Sequence, residues 1–213
     1  MESISKENIK KGTTTIGLVC KDGIILAADK RATGGFILDK EVQKIHKVAN
    51  NIIVTMAGTA SDAQMIIKII KAQLKLNEIR LSKEESNVKE AANLLAHIVY
   101  NNIRKFSTIP GIAHFIMGGK DLEGIFLYDI YPDGTLSLKY DYVSSGSGSI
   151  FALGVLDTLY KDGLSIKEGI ELVTKAMNAA LQRDLYTGDG LDIWTVTKEG
   201  IKEVLHKKIE VKV

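Results

Sequence analysis

The chain predicts an α+β protein: a four-layer αββα sandwich in which two antiparallel sheets lie between helix pairs. Three observations predict it. Strand-like runs are clustered rather than alternating one by one with helices, which favours antiparallel sheets with helices on the outer faces. The order is strands, two helices, strands, two helices, strands. Of the 213 residues, 45% are hydrophobic, enough for one domain with a sizeable core.

Each element has its own signal. Thr13–Cys20 is rich in β-branched residues, and Asp22-Gly23 turns it into Ile24–Ala28. Val42–Ile45 and Ile52–Ala57 form a second pair around Asn50-Asn51. Ser61-Asp62-Ala63-Gln64 has the capping-box pattern, and Met65, Ile66, Ile69, Ile70, Leu74 and Leu76 follow at helical spacing. Ser82-Lys83-Glu84-Glu85 marks a second helix start, leading through Val88, Leu95 and Val99 to Ile103. Strands are expected at His114–Met117, Gly124–Ile130 and Leu136–Val143, the last two joined by Pro132-Asp133-Gly134. A helix follows Gly146-Ser147-Gly148-Ser149, and another runs from the box Ser165-Ile166-Lys167-Glu168 to about Arg183. Leu191–Thr197 and Ile201–Leu205 close the sheet.

Composition removes several functions. The formal net charge is +2, from 28 basic and 26 acidic residues, and the two signs are interspersed, so no nucleic-acid partner is expected. No run reaches the ~20 apolar residues of a membrane helix. Residues 1–12 are polar and lack an apolar core, so they are not read as a secretory signal. The single Cys20 lies in an apolar run and is expected as a buried, reduced thiol of an intracellular protein. Gly118-Gly119-Lys120 lacks the upstream glycine of a phosphate loop, and Gly146-Ser147-Gly148-Ser149 lacks the third glycine of a dinucleotide fingerprint. His46, His97, His114 and His206 have no metal-ligand spacing. No metal and no cofactor are therefore expected, and His97, within an apolar helical pattern, is read as a core residue.

The chemistry is expected at Gly12-Thr13. A threonine hydroxyl inside a chain has no base of its own. At a chain start, the free α-amine supplies one, and it titrates near pH ~8. A cut after Gly12 would turn Thr13 into a nucleophile with its base attached. The polar segment 1–12 suits a removable propeptide. Lys44, in a strand between apolar neighbours and on one face with Val42 and His46, needs a carboxylate partner or its pKa falls. Asp29, at a strand end, is the nearest candidate. Asp184 ends the last long helix, and Thr187-Gly188-Asp189-Gly190 turns the chain back.

Six motifs occur together: Gly12-Thr13-Thr14-Thr15-Ile16-Gly17, Ala28-Asp29-Lys30-Arg31-Ala32-Thr33, Gln43-Lys44-Ile45, Met56-Ala57-Gly58, Ser145-Gly146-Ser147-Gly148-Ser149 and Gln182-Arg183-Asp184. In order and spacing the chain resembles proteasome β subunits, most closely the archaeal type, from Thr13 to the last strands. The resemblance implies the N-terminal nucleophile hydrolase fold, with Thr13 as the nucleophile exposed by self-cleavage after Gly12. It implies that Asp29 and Lys44 assist the nucleophile, that Ser147 and Asp184 anchor the amine, and that the Gly58 N–H holds the oxyanion. Thr187 stands where the family usually has serine. Thr33 falls on the position that binds extended substrate backbone, and Ala32, His46, Met56 and Ala60 on the specificity pocket, with large apolar residues preferred before the cut. The implied partners are α-type subunits and other β subunits in stacked seven-membered rings, an ATPase regulatory particle acting indirectly, and unfolded polypeptide substrates, in the cytoplasm. The resemblance also admits a silent ring member whose propeptide stays on until a different, active β subunit is present.

Overall fold

The computed structural model describes residues 12–34 and 36–209. Of the expected propeptide, only Gly12 falls within that range. One five-stranded antiparallel sheet has the order β10-β1-β2-β11-β12, and the other has β5-β6-β7-β8-β9. The first contains β1 (Thr14–Cys20), β2 (Gly23–Asp29), β10 (Tyr142–Gly146), β11 (Gly190–Thr197) and β12 (Gly200–Lys208). The second contains β5 (Ile45–Ala49), β6 (Ile52–Gly58), β7 (Ala113–Asp121), β8 (Gly124–Ile130) and β9 (Leu136–Lys139). A short hairpin, β3 (Ala32–Thr33) with β4 (Ile37–Asp39), stands apart from both.

Three apolar layers hold the sandwich together. Helices α1 (Ala60–Leu81) and α2 (Val88–Ile103) pack on the second sheet through Ile66, Ile70, Leu95 and Val99 against Val54 and Phe115. Helices α3 (Ser149–Leu159) and α4 (Ile166–Arg183) cover the first sheet, with Leu156, Val173 and Met177 on Ile16, Leu18 and Ile25. Between the sheets, Ile24 and Leu26 meet Ile45, Ile53 and Ile116. Both faces of β2 are thus covered, and all seven of its residues are buried. That is why its sequence reads as a continuous apolar run rather than an alternation.

The expected αββα layering is the observed one, and the Ser165 capping box forms as read. Several boundaries differ for local reasons. Helix α1 is capped by Thr59 without a side-chain bond, so Ser61 and Asp62 lie in its first turn. Ser82 does not start α2. It ends α1 in the left-handed region, where its N–H reaches the carbonyls of Glu78 and Ile79, and Asn87 caps α2 by accepting from the Glu90 N–H. The run Leu136–Val143 is two strands in two sheets, because the chain crosses between the layers at Tyr140-Asp141. His97 is not in the core. It is exposed on α2 and within 2.9 Å of the Asn101 amide.

Cys20 is buried against the α4 layer, and burial pushes its thiol up to about 12. The thiolate is the reactive form. A thiol reagent at pH 8 is therefore expected to leave the native protein unlabelled and to modify one thiol per chain once denaturant unfolds it. Rapid labelling without denaturant would contradict this burial.

Candidate active site

The end of β1, the end of β2 and the loop after α4 converge where Thr13 enters the sheet. Asp29 is the hub. Its side chain is fully buried, yet every approach is filled by a donor. Oδ1 accepts from Lys44 Nζ at 2.7 Å and the Thr14 N–H at 2.9 Å, and Oδ2 accepts from the Gly188 N–H at 3.0 Å and the Arg31 N–H at 3.1 Å. A carboxylate at the close of a fully covered strand is tolerated because these four donors replace water.

Lys44 lies just ahead of β5 rather than within the strand expected at Val42–Ile45. Its carbonyl accepts from the Met56 N–H at 2.9 Å, and Val42 is tied to the Lys30 carbonyl at 3.0 Å. These bonds draw the segment inward, and Lys44 is almost wholly buried. Burial pulls the Lys44 ammonium down from its ordinary pKa, and the Asp29 charge opposes that fall. Burial likewise raises the Asp29 carboxyl, against the pull of Lys44 and the backbone N–H groups. An amine held in this way takes up and gives back a proton more readily than a surface lysine.

Behind Thr13 a second set of hydroxyls meets Asp184. The Thr13 N–H donates to Ser147 Oγ at 3.3 Å, and Ser147 Oγ donates to Asp184 Oδ2 at 2.5 Å. Thr187 Oγ1 donates to the same carboxylate oxygen at 2.5 Å and meets Thr14 Oγ1 at 2.6 Å. Thr187, where a serine is usual in the family, thus places its hydroxyl between Asp184 and Thr14. Thr13 Oγ1 donates to the Gly12 carbonyl at 2.7 Å, so the hydroxyl lies beside the Gly12–Thr13 peptide bond. The Gly12 N–H donates to Thr33 Oγ1 at 3.0 Å. A Cβ on residue 12 would run into the Tyr186 side chain, so only glycine fits there.

In front of Thr13 opens a cavity of about 260 Å³. Thr13, Lys44, Gly58, Ala32, Thr33, Met56 and Ala60 all reach its wall. Gly58 ends β6 at φ +104°, where a Cβ would strike the Ile112 carbonyl. His46 does not reach that wall; it is half-buried on β5, its Nε2 has no hydrogen-bond partner among the described residues, and burial lowers its pKa. Asp29, Ser147, Asp184 and Thr187 lie behind the cavity, joined to its wall by the bonds above.

Sequence reasoning missed four members of this network. Arg31 is held by Asp189, with Nε at 2.6 Å, and by the Leu185 carbonyl at 3.0 Å. That clamp secures Asp189 at φ +64°, an unusual conformation for a non-glycine residue. Tyr186 walls Gly12, and Thr14 links the Asp29 hub to the Asp184 hydroxyls, its N–H on Asp29 and its Oγ1 on Thr187. Strand alternation signalled only Thr14; the Arg31–Asp189 pair spans 158 positions and leaves no local mark.

A family profile described as "Proteasome subunit" matches residues 9–196. The chain belongs to the proteasome subunit family. It is 39% identical over 206 residues to the "Proteasome subunit beta" of Archaeoglobus profundus, covering 96% of this chain and 94% of that protein. The corresponding protein of Methanocaldococcus fervens is 40% identical over 205 residues, covering 95% and 89%. That of Methanopyrus kandleri is 36% identical over 206 residues, with 96% of each covered. The layers of this proteasome-family chain are those of the N-terminal nucleophile hydrolase sandwich. Among its described residues no helix is long and apolar enough to cross a membrane.

Proposed function

We propose that this chain is a proteolytic β subunit of a 20S-type core particle, a threonine endopeptidase made as a zymogen. Loss of residues 1–12 frees the Thr13 amine. Thr13 Oγ1 attacks the substrate carbonyl carbon while its proton passes to the amine, with Lys44 stabilising the developing alkoxide. The Gly58 N–H stabilises the oxyanion. Collapse breaks the C–N bond, and the proton goes to the leaving amine. Water then hydrolyses the Thr13 ester, returning the hydroxyl. Asp29 keeps Lys44 oriented, and Ser147, Asp184 and Thr187 fix the amine. Thr33 would hold extended substrate backbone. The observation that carries this reading is Lys44, on the wall of the cavity into which Thr13 opens and paired with the buried Asp29 behind it.

The relatives' shared name supports assembly with other subunits of a proteasome core particle; stacked seven-membered rings with α-type and other β subunits, fed with unfolded polypeptide by an ATPase particle in the cytoplasm, are part of the proposal on the family resemblance. The cavity supports a preference for large apolar residues before the cut. Ala32 and Ala60 leave space, Met56 adapts its shape, and the charge of Arg31 is already matched by Asp189. Burying a leucine-sized side chain contributes about 1.5–3 kcal/mol. Fluorogenic peptides with Leu or Tyr at that position are therefore expected to show kcat/KM at least about tenfold above peptides with Glu. Faster cleavage after Glu would overturn the pocket assignment. A chain that keeps Gly12–Thr13 intact, alone and in the assembled particle, would point instead to a silent ring member.

Thr187 gives a sharper test of the amine-holding network. Thr187→Ser keeps the hydroxyl and is expected to leave kcat within about threefold. Thr187→Val takes a donor from Asp184 and a partner from Thr14, which is expected to cost about 1–3 kcal/mol of stability and to lower kcat. Equal activity in the two variants would remove Thr187 from the site.

A further inference from the structure

Outside the active site, three ionisable side chains meet at the sheet edge formed by β11 and β12. Asp192 is on β11, and Glu203 and His206 are on β12. Residues three apart in a regular strand point to opposite faces, so Glu203 and His206 should not meet. The ladder is bulged, however. Ile193 pairs with Leu205, and Trp194 pairs with Glu203. Val204 is left without a partner and the alternation is reset, which turns both side chains toward Asp192. His206 Nδ1 lies 2.8 Å from Asp192 Oδ1 and 3.3 Å from Glu203 Oε1. One donor atom from each of the three lies within 4.8 Å of the others.

Asp192 shows that the cluster is incomplete as it stands. Its side chain is only 4% exposed, and Oδ2 accepts from Lys30 Nζ at 2.8 Å. Oδ1 is buried and accepts no hydrogen bond from the described residues. The neighbouring imidazole nitrogen comes close without the alignment of a hydrogen bond. A shared cation is compatible with that geometry. At ligand bonds of about 2.1 Å, octahedral positions stand about 3.0 Å apart and tetrahedral ones about 3.4 Å, close to the two separations around His206.

We propose that Asp192, Glu203 and His206 bind a divalent transition cation of the zinc class. One imidazole nitrogen and two carboxylate oxygens suit such an ion better than magnesium or calcium. Asp192 binds through Oδ1 alone because Lys30 holds Oδ2. Water fills the remaining positions. The ion ties the edge strand β12 to β11. Through Asp192 and Lys30 it also braces the end of β2, one residue beyond Asp29. The proposal is independent of the peptidase reading, since its readout is binding.

The test uses the full chain, free of any affinity tag, dialysed against chelator and titrated with Co²⁺. One saturable Co²⁺ per chain is expected, with visible ligand-field absorption that Zn²⁺ displaces and Mg²⁺ does not. At hundredfold excess over its Kd the ion should raise Tm by roughly 5–10 °C. Glu203 and His206 are about half exposed, so Glu203→Gln and His206→Gln should fold. Each is expected to weaken Co²⁺ binding at least about 100-fold, more than the loss of a supporting residue outside the coordination shell. The proposal is overturned if His206→Gln binds Co²⁺ with unchanged affinity, if Mg²⁺ displaces Co²⁺ equally well, or if no saturable binding appears up to about 1 mM, the weak end of site-specific affinity.

Discussion

Replacing Thr13 with alanine is expected to lower peptide hydrolysis by at least about 1000-fold while leaving the fold intact. The activity loss follows from removing the only nucleophile in the proposed scheme; the rest of the machinery has nothing to activate. The fold survives because, among the described residues, the hydroxyl makes a single bond, to the adjacent Gly12 carbonyl, and Thr13 sits at the mouth of the sandwich rather than in its apolar layers. Thr13→Ser keeps a hydroxyl in the same place and is expected to stay within about tenfold of the parent. Assays on particles assembled from each variant, with thermal melts alongside, check both halves. An active Thr13→Ala protein would remove the nucleophile from the account.

Lys44→Met is expected to be the second largest loss, and it reaches stability as well as rate. Lys44 and Asp29 are both buried, at 4% and 0% side-chain exposure. Removing the ammonium strands a carboxylate in the interior, for which about 3–5 kcal/mol is typical. Three backbone N–H groups still reach Asp29, so the lower end of that range is expected. The pH dependence has a definite sign. Burial already raises the Asp29 carboxyl, and Lys44 is the first force opposing it. Without Lys44 the folded chain holds that proton more tightly than the unfolded chain does. The stabilisation is therefore present below the unfolded carboxyl pKa of about 3.9 and is lost as pH rises through the raised folded value. Urea midpoints should show the variant's deficit growing from mild acid toward neutral pH. A deficit independent of pH would mean that Asp29 is not the stranded group. Arginine should not rescue activity, because its planar guanidinium does not fit a site shaped around one ammonium.

Much of this was legible in the chain, and the residues that were not share a cause. The αββα order came from clustered apolar runs, and α4 declared its start with a reciprocal cap that the structure contains. Asp29 and Lys44 were legible as partners because an inward lysine demands a carboxylate. Signals acting over longer range did not show. The crossing between sheets at Tyr140-Asp141 has no glycine or proline to announce it, so two strands read as one. Ser82-Lys83-Glu84-Glu85 satisfies a capping pattern, but α1 runs long enough to claim Ser82 for its own end, and tertiary packing overrides the local signal. His46 was expected on the pocket wall from the resemblance, yet only Val42 and Lys44 of that stretch reach it. The Asp192, Glu203 and His206 cluster depends on a bulge at Val204, which a periodicity of two cannot anticipate.

The central claim is that Thr13, freed from Gly12, is the nucleophile. A threonine-directed covalent inhibitor added to the assembled particle, followed by intact mass and peptide mapping, tests it most directly. The expected result is a chain that begins at Thr13 and carries one adduct on that residue. An intact Gly12–Thr13 bond in an active particle, or an adduct on any other residue, would contradict it.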